Sequence, residues 1–338
     1  MVGRLEFETD GDGNSPRMRT DPPALSFVLV VGDQRERAGH ALGSILRQEG
    51  IERAEVLVLD SGARGLPPVA GSDHPAVELL PRGRAARFGE LRAEGVRRAR
   101  GDVVAFLEDH CVLAPGFLRA ILEAFQGPWS AAGGKCLNAN PGVGESDLMV
   151  VTNYGLWMGR MTKGEATFVP GSNSAYRRAA LLAYEPDLVP LLTTDMVLQL
   201  RLREDGHRFL LDPAARFGHL NEVSLHSAAA AMFHYHRCMG RARAAVLGWS
   251  TWRIVRYLVQ STVIPWVRTW RTVRLSIGQI GRSRGWALRR VPTMLILFHA
   301  AALGQALGLV FGVGRSPDRL TFYEVHDPRP GYDAAAVE

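Results

Sequence analysis

Short apolar runs alternate with segments of helical apolar spacing along the first half of the chain. Runs of consecutive apolar residues favour buried strands of a parallel sheet, and apolar residues three and four apart favour helices. The alternation predicts an α/β fold with a mostly parallel sheet and crossover helices. The predicted strands are 25–31, 55–59, 77–80 and 103–107, and the predicted helices are 38–48, 84–100 and 116–125.

Polar side chains follow three of these strands. Asp33 comes after the first strand, Asp60 after the second, and Glu108, Asp109 and His110 after the fourth. Open α/β sheets bind ligands at the edge where the carboxyl ends of their strands meet, so we expect these groups to lie together. Carboxylate and imidazole groups at such an edge can hold a divalent cation and bind a nucleotide. The alternative is a solvated turn ahead of the next helix.

The last third of the chain has a different composition. Residues 237–290 contain twelve arginines and no lysine, aspartate or glutamate, in a chain of net charge +6. Arginine and tryptophan mixed over 252–280 are typical of an interfacial amphipathic helix. Residues 291–314 carry no charge and are long enough to span a bilayer. The pattern predicts a membrane-associated region, with a helix that either spans the bilayer or lies in it. The alternative is a helical bundle packed on the α/β domain.

The composition also predicts how the chain is divided. Residues 1–23 lack the apolar core of a signal peptide and are predicted to be a disordered leader. The α/β domain is expected at 24–222, the helical membrane-associated region at 223–314, and a loosely held polar tail at 315–338. The three cysteines have neither paired nor zinc-type spacing, which favours a reduced compartment. They are Cys111, Cys136 and Cys238.

Five segments of the chain, in order, resemble glycosyltransferase family 2, which has the GT-A fold, a Rossmann-like fold of nucleotide-diphospho-sugar transferases. The first two are SFVLVVGDQRERAGHALGSILRQ (26–48) and VLVLDSGARG (56–65). The third, GVRRARGDVVAFLEDHCVLAPGFL (95–118), is similar to the segment that places the metal ligands. The last two, VPGSNSAYRRAAL (169–181) and TTDMVLQLRLREDGHRFLLDPAARFGHL (193–220), are similar to the acceptor-side and catalytic-base segments.

The resemblance implies roles for individual residues of this chain. Asp195 is the expected catalytic base, with a helix N-cap as the alternative role. The other expected residues are Asp60, Asp109, Arg237 and Arg241 for donor binding, Asn173, Arg177 and Thr194 on the acceptor side, and Glu108, His110 and His219 for the metal. For the arginines the alternative is a solvated basic face, and for His219 a structural role.

Two motifs depart from the family pattern. The usual Asp-x-Asp stands here as Glu108-Asp109-His110. These groups can still hold Mn²⁺ or Mg²⁺, and the imidazole favours Mn²⁺. The usual Glu-Asp stands as Thr194-Asp195, so the expected base is present without its acidic neighbour.

The resemblance implies an inverting glycosyltransferase that moves a sugar from a nucleotide-diphosphate donor to an acceptor hydroxyl of a lipid-linked or polysaccharide substrate. Membrane lipids are a further expected partner, and nucleic acid is not. Arginines are more frequent before residue 291 than after residue 314, which predicts a catalytic domain on the cytoplasmic face of the cell membrane. Two alternatives stay open: a nucleotidyltransferase, and a non-catalytic interaction protein with a GT-A-like fold.

Overall fold

A sheet of nine strands forms the centre of the computed structural model, which describes residues 22–337. The predicted leader therefore lies outside the described residues, except for its last two positions. The strands are β1 (Leu25–Val31), β2 (Ala54–Asp60), β3 (Val77–Pro81), β4 (Val103–Glu108), β5 (Cys111–Leu113), β6 (Ala131–Asn138), β7 (Gly164–Ala166), β8 (Ser174–Arg177) and β9 (Phe209–His219).

The sheet order confirms the predicted fold class. Eight strands follow the order β3-β2-β1-β4-β8-β6-β9-β5, and β7 pairs with β9. The first four positions are parallel throughout, as the continuous apolar runs predict. Strand β8 then enters antiparallel to both β4 and β6, and β6 and β9 are parallel again. The carboxyl end of β4 therefore lies beside the amino end of β8, which runs in the opposite direction.

Thirteen helices of the described chain surround this sheet. They are α1 (Arg35–Leu46), α2 (Phe88–Arg98), α3 (Phe117–Ala124), α4 (Ser146–Tyr154), α5 (Arg178–Leu182), α6 (Leu188–Thr193), α7 (Asp195–Glu204), α8 (Leu225–Val246), α9 (Thr251–Gln260), α10 (Ile264–Gly278), α11 (Arg284–Arg289), α12 (Val291–Phe311) and α13 (Ser316–Thr321). Helices α1 and α3 bury their apolar sides against one face of the sheet. Helices α2, α6 and α7 cover the other face.

Helices α8 and α12 cross in close contact. A Cβ at Gly304 or Gly308 would overlap the backbone of α8, and one at Gly240 would overlap the backbone of α12. Small residues at these positions let the two helix backbones approach. Helix α12 is long and apolar enough to cross a membrane, yet half of its most apolar stretch is buried inside the protein. Its opposite side exposes Ile296 and Leu303.

The predicted loose tail is an ordered and partly buried part of the structure. Residues 322–330, here called the C-terminal strap, cross the strand-end edge of the sheet. The backbone of Val325 lies so close to Gly32 that a Cβ there would overlap it. Arg37 Nη1 donates to Asp327 O over 2.8 Å, and Arg329 is only 5% exposed. The polar composition of residues 315–338 predicted a solvated tail, but polar groups of the strap form hydrogen bonds and ion pairs within the protein.

Candidate active site

The polar groups that follow β1 and β2 lie together, as predicted. Asp60 Oδ1 accepts hydrogen bonds from Arg35 Nη1 at 3.0 Å and from the backbone of the following turn. Asp33 Oδ1 accepts from Ala63 N at 2.9 Å, just beyond β2. His326 of the C-terminal strap lies 3.2 Å from Asp33 Oδ2. The strap therefore forms one wall of the strand-end crevice where a nucleotide would bind.

Glu108 Oε2 lies at the centre of a buried cluster at the end of β4. His110 Nε2 is 3.3 Å away and His219 Nε2 is 3.6 Å away. Asn173 Nδ2 and the Tyr154 hydroxyl also donate to this oxygen, at 2.9 and 3.3 Å. Burial alone would raise the pKa of Glu108, but the two imidazoles facing it hold that pKa well below its usual range.

Hydrogen bonds on the other ring nitrogens set the tautomers of both histidines. His110 Nδ1 lies 3.2 Å from Asp109 Oδ1, and His219 Nδ1 lies 2.8 Å from Asn221 Oδ1. Carboxylate and amide oxygens only accept, so each Nδ1 is a donor and each Nε2 faces Glu108. A protonated Nε2 stabilises the Glu108 carboxylate, and a deprotonated Nε2 offers a lone pair to a cation. His110 Nε2 has no hydrogen-bond partner among the described residues.

These residues fit a divalent cation. Three electron-pair donors converge in a buried space, and a cation between them would satisfy the unpartnered His110 Nε2. The ligand atoms of Glu108, His110, Cys111 and His219 all lie within 4.8 Å of one another. Two imidazoles and a carboxylate suit Mn²⁺ better than Mg²⁺, which prefers oxygen. Burial raises the pKa of the Cys111 thiol well above its usual range, which makes it the weakest of the four ligands.

Asp109 was predicted to bind the donor, but its side chain does not reach the space in which the ligand atoms of Glu108, His110 and His219 converge. Its side chain is completely buried and pairs with Arg37 Nη2 at 2.8 Å. It also accepts from Gly32 N at 3.3 Å and orients His110. Asp109 is therefore a positioning residue, because a histidine that binds a metal commonly donates its other N–H to a carboxylate.

Asp195 is the first residue of α7, and its carboxylate lines a large cavity. Tyr235 of α8 donates a hydrogen bond to Asp195 Oδ1, and Ser172 Oγ donates to Oδ2 at 3.2 Å. The backbone of Met196 donates to Oδ1 at 2.8 Å. These donors fix the carboxylate, and its position beside the cavity allows it to accept a proton from a bound hydroxyl.

Gly171 provides the space that this carboxylate occupies. A Cβ at Gly171 would overlap both the carboxylate and Cβ of Asp195. We expect Gly171→Ala to displace Asp195 and to lower the transfer rate by about 10²-fold, the scale of losing a general base. Steady-state kinetics and donor titration check this. Gly164→Ala is the control, because a Cβ there meets nothing within 4 Å. An unimpaired Gly171→Ala enzyme would contradict the assigned position.

The cavity beside Asp195 measures about 530 Å³, a size typical of small-molecule sites. Glu108 and His219 line it together with Asp195, so the metal cluster and the candidate base face the same space. Glu324 and Arg329 of the strap also line it. Burial and the nearby Glu108 raise the pKa of Glu324 to about 7.

The predicted acceptor-side residues occupy other positions than expected. Asn173 is fully buried and holds Glu108 from both sides, since its Oδ1 accepts from Glu108 N at 3.3 Å. Thr194 is also fully buried and donates to Pro190 O at 2.8 Å. Arg177 lies at the opposite end of β4 from the cluster, where it donates to backbone carbonyls around the end of α3. None of the three lines the cavity.

The predicted donor-binding arginines of α8 also lie away from the cavity. Arg237 Nε donates to Gly312 O at 2.9 Å and so joins α8 to the end of α12. Arg241 is exposed to solvent. The cavity side of α8 instead presents Tyr235 and Arg243, which are eight positions apart and therefore share one helix face.

Sequence reasoning missed several residues of the site. Tyr154, Tyr235 and Asn221 belong to no motif that was singled out, and the only available signal was the position of Asn221 two residues after His219. Nothing in the strap sequence indicated that Glu324 and Arg329 would reach the cavity.

Comparison with known proteins agrees with this geometry. Residues 26–184 match the family model of glycosyl transferase family 2. The structure is similar to that of the mannosyltransferase PcManGT from Pyrobaculum calidifontis in complex with GDP-Man and Mn²⁺, with a TM-score of 0.52 and 14% identity over 90% of this chain and 91% of that chain. No curated protein matches at a significant level. The predicted resemblance to glycosyl transferase family 2 is therefore confirmed over residues 26–184, and the fold is GT-A. The predicted class, a glycosyltransferase, is confirmed.

Proposed function

We propose that this protein is a metal-dependent inverting glycosyltransferase that uses a nucleoside-diphosphate sugar. The observation that carries the proposal is the convergence of Asp195, Glu108 and His219 on one cavity. A base and a cation site facing the same space are what an inverting transfer requires, because the acceptor needs a proton taken away and the leaving group needs its charge neutralised.

In this mechanism Asp195 takes the proton of the acceptor hydroxyl while that oxygen bonds to the anomeric carbon of the donor. The bond from the anomeric carbon to the diphosphate breaks, and its electron pair leaves with the nucleoside diphosphate. Glu108, His110 and His219 would hold a divalent cation, which would supply neutralising charge for the diphosphate. Tyr235 and Ser172 hold the Asp195 carboxylate in place.

A donor screen with the purified full chain tests this proposal. Nucleotide sugars, beginning with GDP-Man, the ligand named with PcManGT, are incubated with Mn²⁺, with Mg²⁺, or with excess chelator. We expect nucleoside diphosphate to be released, and release to require the metal. Formation of nucleoside monophosphate and sugar phosphate or pyrophosphate would favour the nucleotidyltransferase alternative. Absence of both binding and turnover across the panel would favour a non-catalytic protein.

We further propose that the protein works at the cytoplasmic surface of the cell membrane. Helices α9 and α10 expose Trp252, Trp266 and Trp270, which are 73%, 59% and 56% accessible. Arginines alternate with these side chains along the same helices. Together with the exposed side of α12 they form a tryptophan face, and tryptophan beside arginine suits the boundary between lipid and water.

Vesicle flotation tests the tryptophan face. We expect the full chain to float with vesicles that contain anionic lipid and to remain bound at high salt, because apolar burial is not screened as surface charge is. Replacing Trp252, Trp266 and Trp270 together by Gln should abolish salt-resistant flotation. Donor hydrolysis in solution should survive in that variant, which controls for folding. Equal flotation of both proteins would contradict the proposed surface.

A further inference from the structure

One end of the Asp195 cavity is lined by hydrogen-bond donors from three helices. Arg243 comes from α8, Arg268 from α10 and Gln305 from α12. The apolar wall of this end includes Met232 and Met239 of α8. Donors that face an enclosed space without matching acceptors indicate a ligand that supplies the acceptors.

Arg268 carries a positive charge with no acidic partner in the part of the chain that the structure describes. Its Nη1 lies 3.2 Å from His236 Nε2, and its guanidinium stacks on Phe298 with 4.4 Å to the ring centroid. His236 Nδ1 donates to Met232 O at 2.8 Å, so its Nε2 is the acceptor. Burial and the nearby Arg268 lower the pKa of His236 to about 3, so the imidazole is neutral and leaves the arginine charge uncompensated.

Arg243 and Gln305 present donors that no described residue satisfies. Arg243 Nε and Gln305 Nε2 are buried and have no hydrogen-bond partner among residues 22–337. Gln305 is only 3% exposed, so solvent does not reach its amide. Within the same residues, no carboxylate oxygen lies within 4.0 Å of the Arg243 or Arg268 guanidinium.

Both arginines nevertheless keep their charge. Burial lowers the pKa of Arg243, and it lowers that of Arg268 to about 10, so Arg268 is protonated at neutral pH. A guanidinium group stays charged in proteins, which applies to Arg243 as well. The four carboxylates that line the cavity have other partners: Tyr235 donates to Asp195, Asn173 donates to Glu108, and Arg329 pairs with Glu222 and Glu324. Two partly buried positive charges that lack counter-ions among the described residues are destabilising unless a bound anion compensates them.

We propose that Arg243, Arg268 and Gln305 form a subsite for a phosphoryl group of the acceptor, beyond the hydroxyl that Asp195 deprotonates. The inference rests on the proposed glycosyl transfer, since it assigns this end of the cavity to the acceptor. Guanidinium groups bind phosphoryl oxygens through paired, charge-assisted hydrogen bonds, and the Gln305 amide adds a neutral donor.

The position of Arg268 connects this subsite with the tryptophan face. Arg268 lies between Trp266 and Trp270 on α10, and it faces the cavity while both tryptophans face outward. An acceptor whose phosphoryl group is attached to a lipid would therefore enter next to the proposed membrane surface. A water-soluble phosphorylated acceptor satisfies the same donors, so the experiment must separate the two sources.

Binding of farnesyl phosphate, farnesol and inorganic phosphate to the full chain, measured calorimetrically without a donor, tests the subsite. We expect farnesyl phosphate to bind, and farnesol to bind more weakly. Arg243→Gln and Arg268→Gln should each weaken farnesyl phosphate binding at least about 30-fold, the scale of truncating a buried charge pair. Arg119→Gln removes the same charge from an exposed position on α3 and should bind as the wild type does.

The outcomes separate the sources and the hypotheses. Arginine-dependent binding of farnesyl phosphate alone indicates a lipid-linked acceptor, and equal arginine-dependent binding of inorganic phosphate indicates a soluble one; both support the subsite. Farnesol binding as tightly as its phosphate, or unchanged binding in both arginine variants, would overturn it. If the glutamine variants have a lowered melting temperature, Arg268→Lys and Gln305→Leu are used in their place. We expect Arg268→Lys to retain part of the farnesyl phosphate binding and Gln305→Leu to weaken it. No donor is present, so failure of glycosyl transfer leaves this readout intact.

Discussion

Asp195→Asn is expected to lower the rate of sugar transfer by about 10²-fold or more while leaving donor affinity nearly unchanged. The amide keeps the shape of the carboxylate, and its single oxygen can still accept from Tyr235. The NH₂ group that replaces Oδ2 can donate to Ser172 Oγ instead, so the local structure should persist. What it loses is the ability to take a proton from the acceptor. Rates under saturating donor, combined with donor titration, separate a loss of chemistry from a loss of binding.

A control on the same helix tests whether charge alone is responsible. Asp205 follows the end of α7, is exposed, and pairs with Arg201. Asp205→Asn removes one carboxylate from α7 without touching the cavity and should transfer sugar at the wild-type rate. Transfer that persists unchanged in Asp195→Asn would assign Asp195 a purely structural role at the first position of α7.

Glu108→Gln is expected to have the second large effect. The amide preserves the volume at the end of β4 but removes the negative charge on which His110 and His219 converge. Residues that only orient metal ligands typically change metal affinity by about 10- to 100-fold. Loss of a direct ligand should therefore weaken Mn²⁺ binding by more than about 100-fold and abolish metal-dependent donor binding.

Mn²⁺ titration followed by electron paramagnetic resonance measures this loss directly, without turnover. Glu123→Gln, on the exposed side of α3, is the matched control and should bind Mn²⁺ as the wild type does. Full transfer activity of the wild type in excess chelator would show that catalysis does not depend on the metal at this cluster.

The central strands could be predicted from sequence because burial on both faces produces uninterrupted apolar runs. Strand β1 has the predicted bounds, and β4 differs by one residue. Helix α2 begins at Phe88, four residues later than predicted. The arginine-rich segment before it has helical composition, but it forms a turn in which Arg84 pairs with Asp33. Helix propensity depends on neighbouring residues in the sequence, so it could not predict this long-range contact.

The sequence predicted the residue types of the site better than it predicted where along the strands those residues lie. Glu108, His110 and His219 do converge, because two strand ends meet at one edge. Asn173 and Arg177 come from one motif but lie at opposite ends of β8, and the antiparallel direction of β8 places Asn173 rather than Arg177 beside Glu108. A single sequence motif gives no strand direction. The position of the strap could not be predicted for a related reason, because its contacts near β1 join residues that are far apart in the sequence.

The contact between His326 and Asp33 joins positions 293 residues apart, and this has a consequence for biosynthesis. A growing chain folds from its N-terminal part, so the sheet and its polar edge are complete long before the ribosome adds the strap. During that interval the crevice near Gly32 is open to solvent and its acids lack their later partners. A nucleotide that reaches the nascent chain would meet this wider crevice first. The order of synthesis thus gives the crevice two successive shapes, and only the second includes Glu324 and Arg329.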